Sequence, residues 1–319
     1  MLVVGAGVIG LTTAVRLAED GFDVLVRTAE PSERTTSAVA GAMIGGPVFA
    51  QPFVAALRWR AESYAIFSAI SADPNSGVRM ATGRLVASDG PGIPAWAPEL
   101  PGFRPCTTEE SAGFPTAFWI SSPLVDMPTY LAYLTYRLEA ANGRIEVRAV
   151  ESMREAIAGA PVVVNCAGLG SRKLAHDLTV QPVRGQHVVV ENPGLDDFFF
   201  EGGAESSWTG YMPHRERVVL GGNASPNDWN LEPDPAQTGE ILRRCIAVEP
   251  RLSGARVLRV EVGLRPARPS IRVEQQLIGK SRVIHNYGHG GVGVSMSWGC
   301  AATVRSLILG ADLDVTITH

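Results

Sequence analysis

The stretch Met1-Leu2-Val3-Val4-Gly5-Ala6-Gly7-Val8-Ile9-Gly10-Leu11 decides the reading of this chain. Leu2 to Val4 form a short, wholly apolar strand, and Leu11 to Ala18 continue as a helix. Between them Gly5, Gly7 and Gly10 give the spacing G-x-G-x-x-G. In a strand-turn-helix of this kind the first glycine permits the tight turn and the second lets the backbone approach a pyrophosphate. The third lets the helix pack on the strand. The helix N-terminus offers unpaired N–H groups and a partial positive charge to the phosphates. The motif alone is weak, and its place between a strand and a helix strengthens it. It does not say which dinucleotide binds.

Around this turn the chain reads as a mixed α/β protein. Phe22 to Thr28 is expected as the second parallel strand. A ribose-binding acid commonly ends that strand. Here Thr28 stands at the point, and Glu30 lies about 20 residues beyond Gly10, the offset expected for such an acid. Thr28 and Glu30 are both candidates. Next comes a small, hydroxyl-rich loop from Thr35 to Ala42, suited to close backbone approach to a ligand. Helices are expected over 53–70, 127–141, 235–248 and 297–309, and strands over 78–88, 117–125 and 143–150. The run Pro161 to Gly168 (PVVVNCAG) has the continuous apolar character of a buried parallel strand ending at a ligand crevice. Segments 184–191, 218–222 and 256–264 suggest a mostly antiparallel second sheet. A final strand, 282–287, leads to His289-Gly290-Gly291-Val292-Gly293, a second glycine turn before a helix. Two such turns bracketing the chain suit a long ligand in one crevice.

Composition narrows the function classes. The chain has 319 residues, 45% of them apolar, and a net charge of −4. This offers no general attraction for nucleic acid or anionic membrane. Nearly all the cations are arginines, suited to bidentate carboxylate binding. Cys106, Cys166, Cys245 and Cys300 are far apart, without metal-ligand spacing, and are expected as free thiols in a reducing compartment. No secretory signal, run of about 20 apolar residues or C-terminal address at Thr316 to His319 is apparent. The expectation is a cytoplasmic protein without a metal, a nucleic-acid partner or a membrane partner. A homodimer is left open.

These pieces together resemble the D-amino-acid oxidase family of flavoproteins, which includes glycine-oxidase-like members. The resemblance rests on Val283 to Gly299 (VIHNYGHGGVGVSMSWG) and on Gly263-Leu264-Arg265-Pro266-Ala267-Arg268-Pro269. Val163 to Gly168, Arg184-Gly185-Gln186, the TTSAVAGA loop and the opening turn add to it. It implies a discontinuous Rossmann-like FAD-binding domain over 1–50, 140–180 and 275–319. A mostly antiparallel substrate domain over 51–139 and 181–274 would complete the fold.

The resemblance further implies FAD cradled at Gly5, Ala6, Gly7, Val8, Ile9 and Gly10. Thr35, Thr36, Ser37, Gly41, Ala42 and Met43 would run beside its ribityl chain and flavin. Val150 would meet the adenine side, and Gly168 would border the cofactor. Gly290, Gly291, Val292, Gly293, Val294 and Ser295 would hold the isoalloxazine, with the last helix aimed at the flavin N1–C2=O. Arg265 would bind the substrate α-carboxylate next to the flavin, and the Gly291 carbonyl would accept from the amine.

Tyr211 is the second carboxylate candidate, but Thr209-Gly210-Tyr211-Met212-Pro213 is one residue short of the family spacing. Either a deletion keeps Tyr211 in place or it has shifted off the site. Ser207 and Trp208 stand where some members carry another tyrosine, and Trp208 is a candidate for the side-chain pocket. No acid-base residue is called for if hydride passes from Cα to flavin N5. Electrons would then go to O₂, giving H₂O₂, a 2-oxo acid and ammonia from a D-amino acid. His285 is expected to be structural and His289 to scaffold the flavin loop.

Rivals on the same scaffold are a D-aspartate oxidase and a glycine/sarcosine-type amine oxidase. The first needs a second cation, for which His214, Arg215 and Arg217 are candidates. An NAD(P)-dependent dehydrogenase and a flavin-binding protein without turnover are rivals of other classes. Thr28 in place of the acid opposes the first of these, and Arg265 opposes the second.

Overall fold

A computed structural model describes residues 1–45, 50–89, 92–202 and 206–310; the Thr316–His319 terminus lies outside them. In chain order, β1 (Leu2–Val4), α1 (Val8–Glu19) and β2 (Leu25–Thr28) open the fold, and β3 is Ala42–Met43. Then come α2 (Phe53–Ile70), β4 (Val78–Ala87), β5 (Arg104–Pro105), β6 (Thr116–Val125), α3 (Met127–Ala140) and β7 (Arg144–Val147). Next are α4 (Met153–Gly159), β8 (Val162–Asn165), α5 (Ser171–Leu174), β9 (Gln181–Glu191), β10 (Phe198–Glu201) and β11 (Ser207–Pro213). The chain closes with β12 (Arg217–Asn223), β13 (Ser225–Pro226), α6 (Pro235–Val248), β14 (Val257–Ile278), β15 (Ser281–His289) and α7 (Gly293–Leu309).

One end of the sheet is parallel, in the order β15-β8-β1-β2-β7. Its inner strands β1 and β8 are covered on both faces, which is why they are almost wholly apolar, whereas the edge strand β7 (Arg144-Ile145-Glu146-Val147) is mostly exposed. Val3 turns to a core shared with α1, α3 and α7, while Leu2 and Val4 turn to the opposite core with Ala156 and Leu174. The rest, β3-β6-β4-β10-β11-β12-β9-β14, is antiparallel except where β10 runs parallel to β4. Helix α6 covers one face of this part through Ile241 and Cys245. Its first turn is fixed by Asp234, which accepts from the Ala236 and Gln237 amides, and by Pro235.

The two parts are joined by β14, expected to end near Leu264 and in fact continuing to Ile278. Its first half pairs with β9 and its second half with β15. The packing also redraws the domain boundary expected at 51–139. Phe67 of α2 and Tyr130, Leu131, Leu134 and Leu138 of α3 belong to the core beneath the parallel sheet. Both helices thus pack with the cofactor side. Among the described helices, α7 with its preceding turn, Gly290–Leu309, is long and apolar enough to cross a membrane by length and composition, contrary to the expectation of no such run. Its apolar surface is explained by packing: Met296, Cys300 and Val304 are buried against α1 and α2.

Candidate active site

Two cavities meet at the join between the parallel and antiparallel parts. The first, about 560 Å³, runs over the C-terminal ends of β1, β2 and β8. The second, about 610 Å³, lies over the antiparallel strands. Both fall in the range of small-molecule sites. Ala40, His187, Arg265 and Gly291 line both, and so mark the point where two ligands would touch.

The first cavity is built from backbone. Gly5 has φ +107°, a conformation suited to glycine, and a Cβ there would meet the Cys166 carbonyl at 2.6 Å. Neither α1 nor α7 is capped by the side chain of its own N-cap residue, and the first turns of both, at Val8 and Ile9 and at Gly293 and Val294, line the cavity. One first-turn N–H is engaged: the Val8 amide donates to Ser37 Oγ at 3.0 Å. Gly5, Ala6, Gly7, Val8 and Ile9 line the floor, followed by Thr35, Thr36 and Ser37. Thr28, Glu30 and Val150 line one end, and Gly168, Gly290, Gly291, Gly293 and Val294 the other side. Met43, Gly41, Val292 and Ser295 fall instead on the second cavity.

Two expected cofactor contacts do not reach either cavity. Gly10 faces the Gly5 carbonyl so closely that any Cβ would collide with it, so its role is to let α1 approach β1. Ala42 is buried in the core, because alternate residues of a strand point to opposite faces and Gly41 and Met43 take the cavity side. The ribose question is also sharpened. The Thr28 hydroxyl donates to the Glu30 carbonyl at 2.6 Å, whereas the Glu30 carboxylate is more than half exposed at the cavity end.

Arg265 is the most informative side chain. It projects from β14, where the sheet passes from β9 to β15, and is largely buried. Its Nη1 donates to the Asn223 carbonyl at 3.0 Å, and its Cζ lies 5.3 Å from the Trp208 ring centroid. It forms no ion pair among the described residues. Burial pushes its pKa down to about 10, still charged at neutral pH. Gly185 makes room for it, since a Cβ there would strike the guanidinium. A largely buried, fixed guanidinium without a counter-ion among the described residues is suited to receive a carboxylate.

Trp208 reaches the second cavity and Tyr211 does not. On β11, Trp208, Gly210 and Met212 line the cavity. Tyr211 points through the sheet into the core over α6, where it stacks on Phe199 with ring centroids 5.7 Å apart. Its hydroxyl accepts from Arg84 Nη2 at 2.8 Å, and burial pushes its pKa up. The expected substrate contact is therefore corrected: in a strand, a one-residue offset moves a side chain to the opposite face.

His187 was not singled out from the sequence. It sits on β9, partly buried, at the junction of the cavities. Nδ1 lies 3.0 Å from the Val39 carbonyl, and since a carbonyl only accepts, Nδ1 carries the proton. Burial, and then the Arg265 charge, lower its pKa to about 4. It is a neutral imidazole with Nε2 free of hydrogen. The alternation in Arg184-Gly185-Gln186-His187 was the available signal, since Gly185 and His187 share a face. His285 is structural, bonded to Gln276 and Asn165, as expected. His289 lines the first cavity with Nε2 buried and without a partner among the described residues, and burial lowers its pKa to about 3.

The first cavity fits FAD. Its glycine cradle and uncapped helix ends suit a pyrophosphate, and the unpartnered Asn286 Oδ1 and His289 Nε2 are polar atoms available to a bound ligand. The second cavity opens from where the flavin end would lie.

Comparison with known proteins agrees with this geometry. Residues 1–307 match the family model DAO, described as FAD dependent oxidoreductase. The chain is 47% identical over 309 residues to a D-amino-acid oxidase of Rubrobacter xylanophilus, covering 96% of this chain and 94% of that one. It is 48% identical to a D-amino-acid oxidase of Streptomyces coelicolor, covering 96% of each. A human D-aspartate oxidase is 36% identical, with 96% of this chain and 93% of that one covered. Among solved structures, glycine oxidase from Geobacillus kaustophilus superposes with a TM-score of 0.79 at 18% identity, covering 98% of this chain and 95% of that one. The chain belongs to the DAO family of FAD dependent oxidoreductases, and its cofactor is FAD.

Proposed function

We propose that the protein is a D-amino-acid oxidase, which releases a 2-oxo acid, ammonia and H₂O₂. The observation that carries the reading is Arg265: a largely buried cation, without an ionic partner among the described residues, at the point where the two cavities meet. FAD, when bound, accepts a hydride from the substrate Cα and passes the electrons to O₂.

The remaining work falls to this chain's residues. Arg265 holds the α-carboxylate. The Gly291 carbonyl, beside the Arg265 side chain, accepts from the amine, so the two together fix which face of Cα meets the flavin. That is the source of stereoselectivity. His187 is too weak a base at a pKa of about 4 to take a proton from an α-ammonium group. No acid-base residue is assigned, and the α-amine must lose its proton to solvent before the hydride leaves.

The acidic-substrate alternative loses its candidates. His214 is buried outside the second cavity, and Arg217 is paired with Asp126 at 2.6 Å. Arg215 does not line the cavity either. A peroxide-coupled assay over D-amino acids, L-amino acids, glycine and sarcosine tests the reading. Turnover of several neutral D-amino acids is expected. Activity confined to glycine and sarcosine, or dominated by D-aspartate and D-glutamate, would overturn it in favour of the corresponding alternative.

A further inference from the structure

The substrate cavity carries opposite charges at its two ends. Arg265 stands at the inner end, and Glu201 and Asp89 line the same cavity where β10 and β4 finish. The Glu201 carboxylate is held in place: it accepts from the Thr209 amide at 2.8 Å and from the Ser88 hydroxyl. Both donors are neutral, so they fix the carboxylate without cancelling its charge. Neither Glu201 nor Asp89 forms an ion pair among the described residues.

The two ends are linked through one side chain. The Trp208 ring lies 5.3 Å from the Arg265 guanidinium carbon, and the next residue, Thr209, binds Glu201. Summed along this path, the contacts cap the separation at roughly 15 Å, enough for an α-carboxylate, a stem of three or four methylenes and a charged head with their two ion-pair contacts. Between the ends the walls are apolar and aromatic, with Leu85, Phe118 and Phe200. Such walls suit the methylene stem of a long side chain and leave its charged head to the carboxylates.

We infer that the enzyme prefers D-amino acids with a long cationic side chain, of the lysine or arginine type. Arg265 takes the α-carboxylate, and Glu201, supported by Asp89, takes the distal ammonium or guanidinium. The same carboxylates repel an acidic side chain, so the preference is set by rejection as well as attraction. The inference rests on the amino-acid-oxidase reading of the site and adds the side-chain class to it.

The test is kcat/KM for D-arginine against D-citrulline, which has the same length and a neutral head. Wild-type enzyme should favour D-arginine by about tenfold, mostly through KM, as expected for one charge-assisted contact. The ratio should shrink as ionic strength rises from about 0.05 to about 0.5 M. Glu201→Gln should bring it close to one, and Asp89→Asn should lower it less. Equal use of the two substrates by wild-type enzyme, or a ratio untouched by Glu201→Gln, would overturn the inference. If Glu201→Gln does not fold, the wild-type ratio and its salt dependence decide. Turnover of D-citrulline and D-methionine without a preference for D-arginine removes this inference alone. No turnover of any D-amino acid removes the underlying reading with it.

Discussion

The cofactor cavity and the substrate cavity share four residues but are made in different ways. The first is lined by short runs continuous in sequence: Gly5 to Ile9, Thr35 to Ser37, and Gly290 with Gly291. Its chemistry is that of backbone amides, helix ends and the absence of side chains. The second is lined mostly by strands: alternate residues of β6, β11 and β12, single residues of β9 and β14, and the ends of β4 (Leu85 to Ala87) and β10 (Phe200 and Glu201). A phosphate cradle is local, whereas a side-chain pocket in a sheet is an outcome of register.

The sharpest way to break this contrast is at Gly10. Gly10→Val places side-chain carbons into the Gly5 carbonyl, forcing α1 away from β1. We expect the cofactor to be lost almost completely, with folding stability reduced by about 2 kcal/mol or more. Flavin absorbance of the purified protein, beside a denaturant melt, reads both; a yellow variant of native stability would remove the packing argument.

Arg265→Ala should act on the other cavity. A loss of about 10³-fold in kcat/KM is expected for D-amino acids, since a buried carboxylate would lose its only cation. The protein should stay yellow. An unchanged KM would take Arg265 out of the substrate site.

Acid should weaken both regions together. His187, His214 and His285 are held by burial at about 4, and His289 at about 3, from an ordinary 6.5. When folded they stay neutral while the unfolded chain takes up protons. Their stability contribution is therefore complete above about pH 6.5 and is lost as pH falls toward 4. Each contributes a slope of up to about 1.4 kcal/mol per pH unit. Calorimetry from pH 7.5 to 4.5 should show Tm falling through this window, and a flat Tm would contradict burial of neutral imidazoles.

The smallest kinetic effect belongs to Tyr211→Phe. Its hydroxyl faces Arg84 and not the cavity, so KM should change by less than about twofold while stability falls by roughly 1–2 kcal/mol. A large rise in KM with unchanged stability would return Tyr211 to the substrate site.

These same residues show how far the sequence could be read. The glycine turns, the hydroxyl loop, β8 and Arg265 were legible because each is a local motif whose residue types have few physical alternatives. Gly10 and Ala42 were assigned to the right segments but the wrong neighbours, because proximity in sequence does not say which face a residue presents. Tyr211 was undecidable from spacing, since one residue of offset reverses a strand's faces and β11 carries an irregularity between Ser207 and Gly210. His187, Glu201 and Asp89 were not singled out at all. Their meaning comes only from strands that pair across distant parts of the chain, such as β10 beside β4.

The central claim is that Arg265 and Gly291 present one face of an amino acid to the flavin. Oxygen consumption by the purified yellow enzyme, measured in parallel with D- and L-methionine, tests it most directly. Rapid uptake with the D-enantiomer, matched by equal 2-oxo acid and H₂O₂, and none with the L-enantiomer is the predicted result. Equal uptake with both, or uptake with L-methionine alone, would contradict the account.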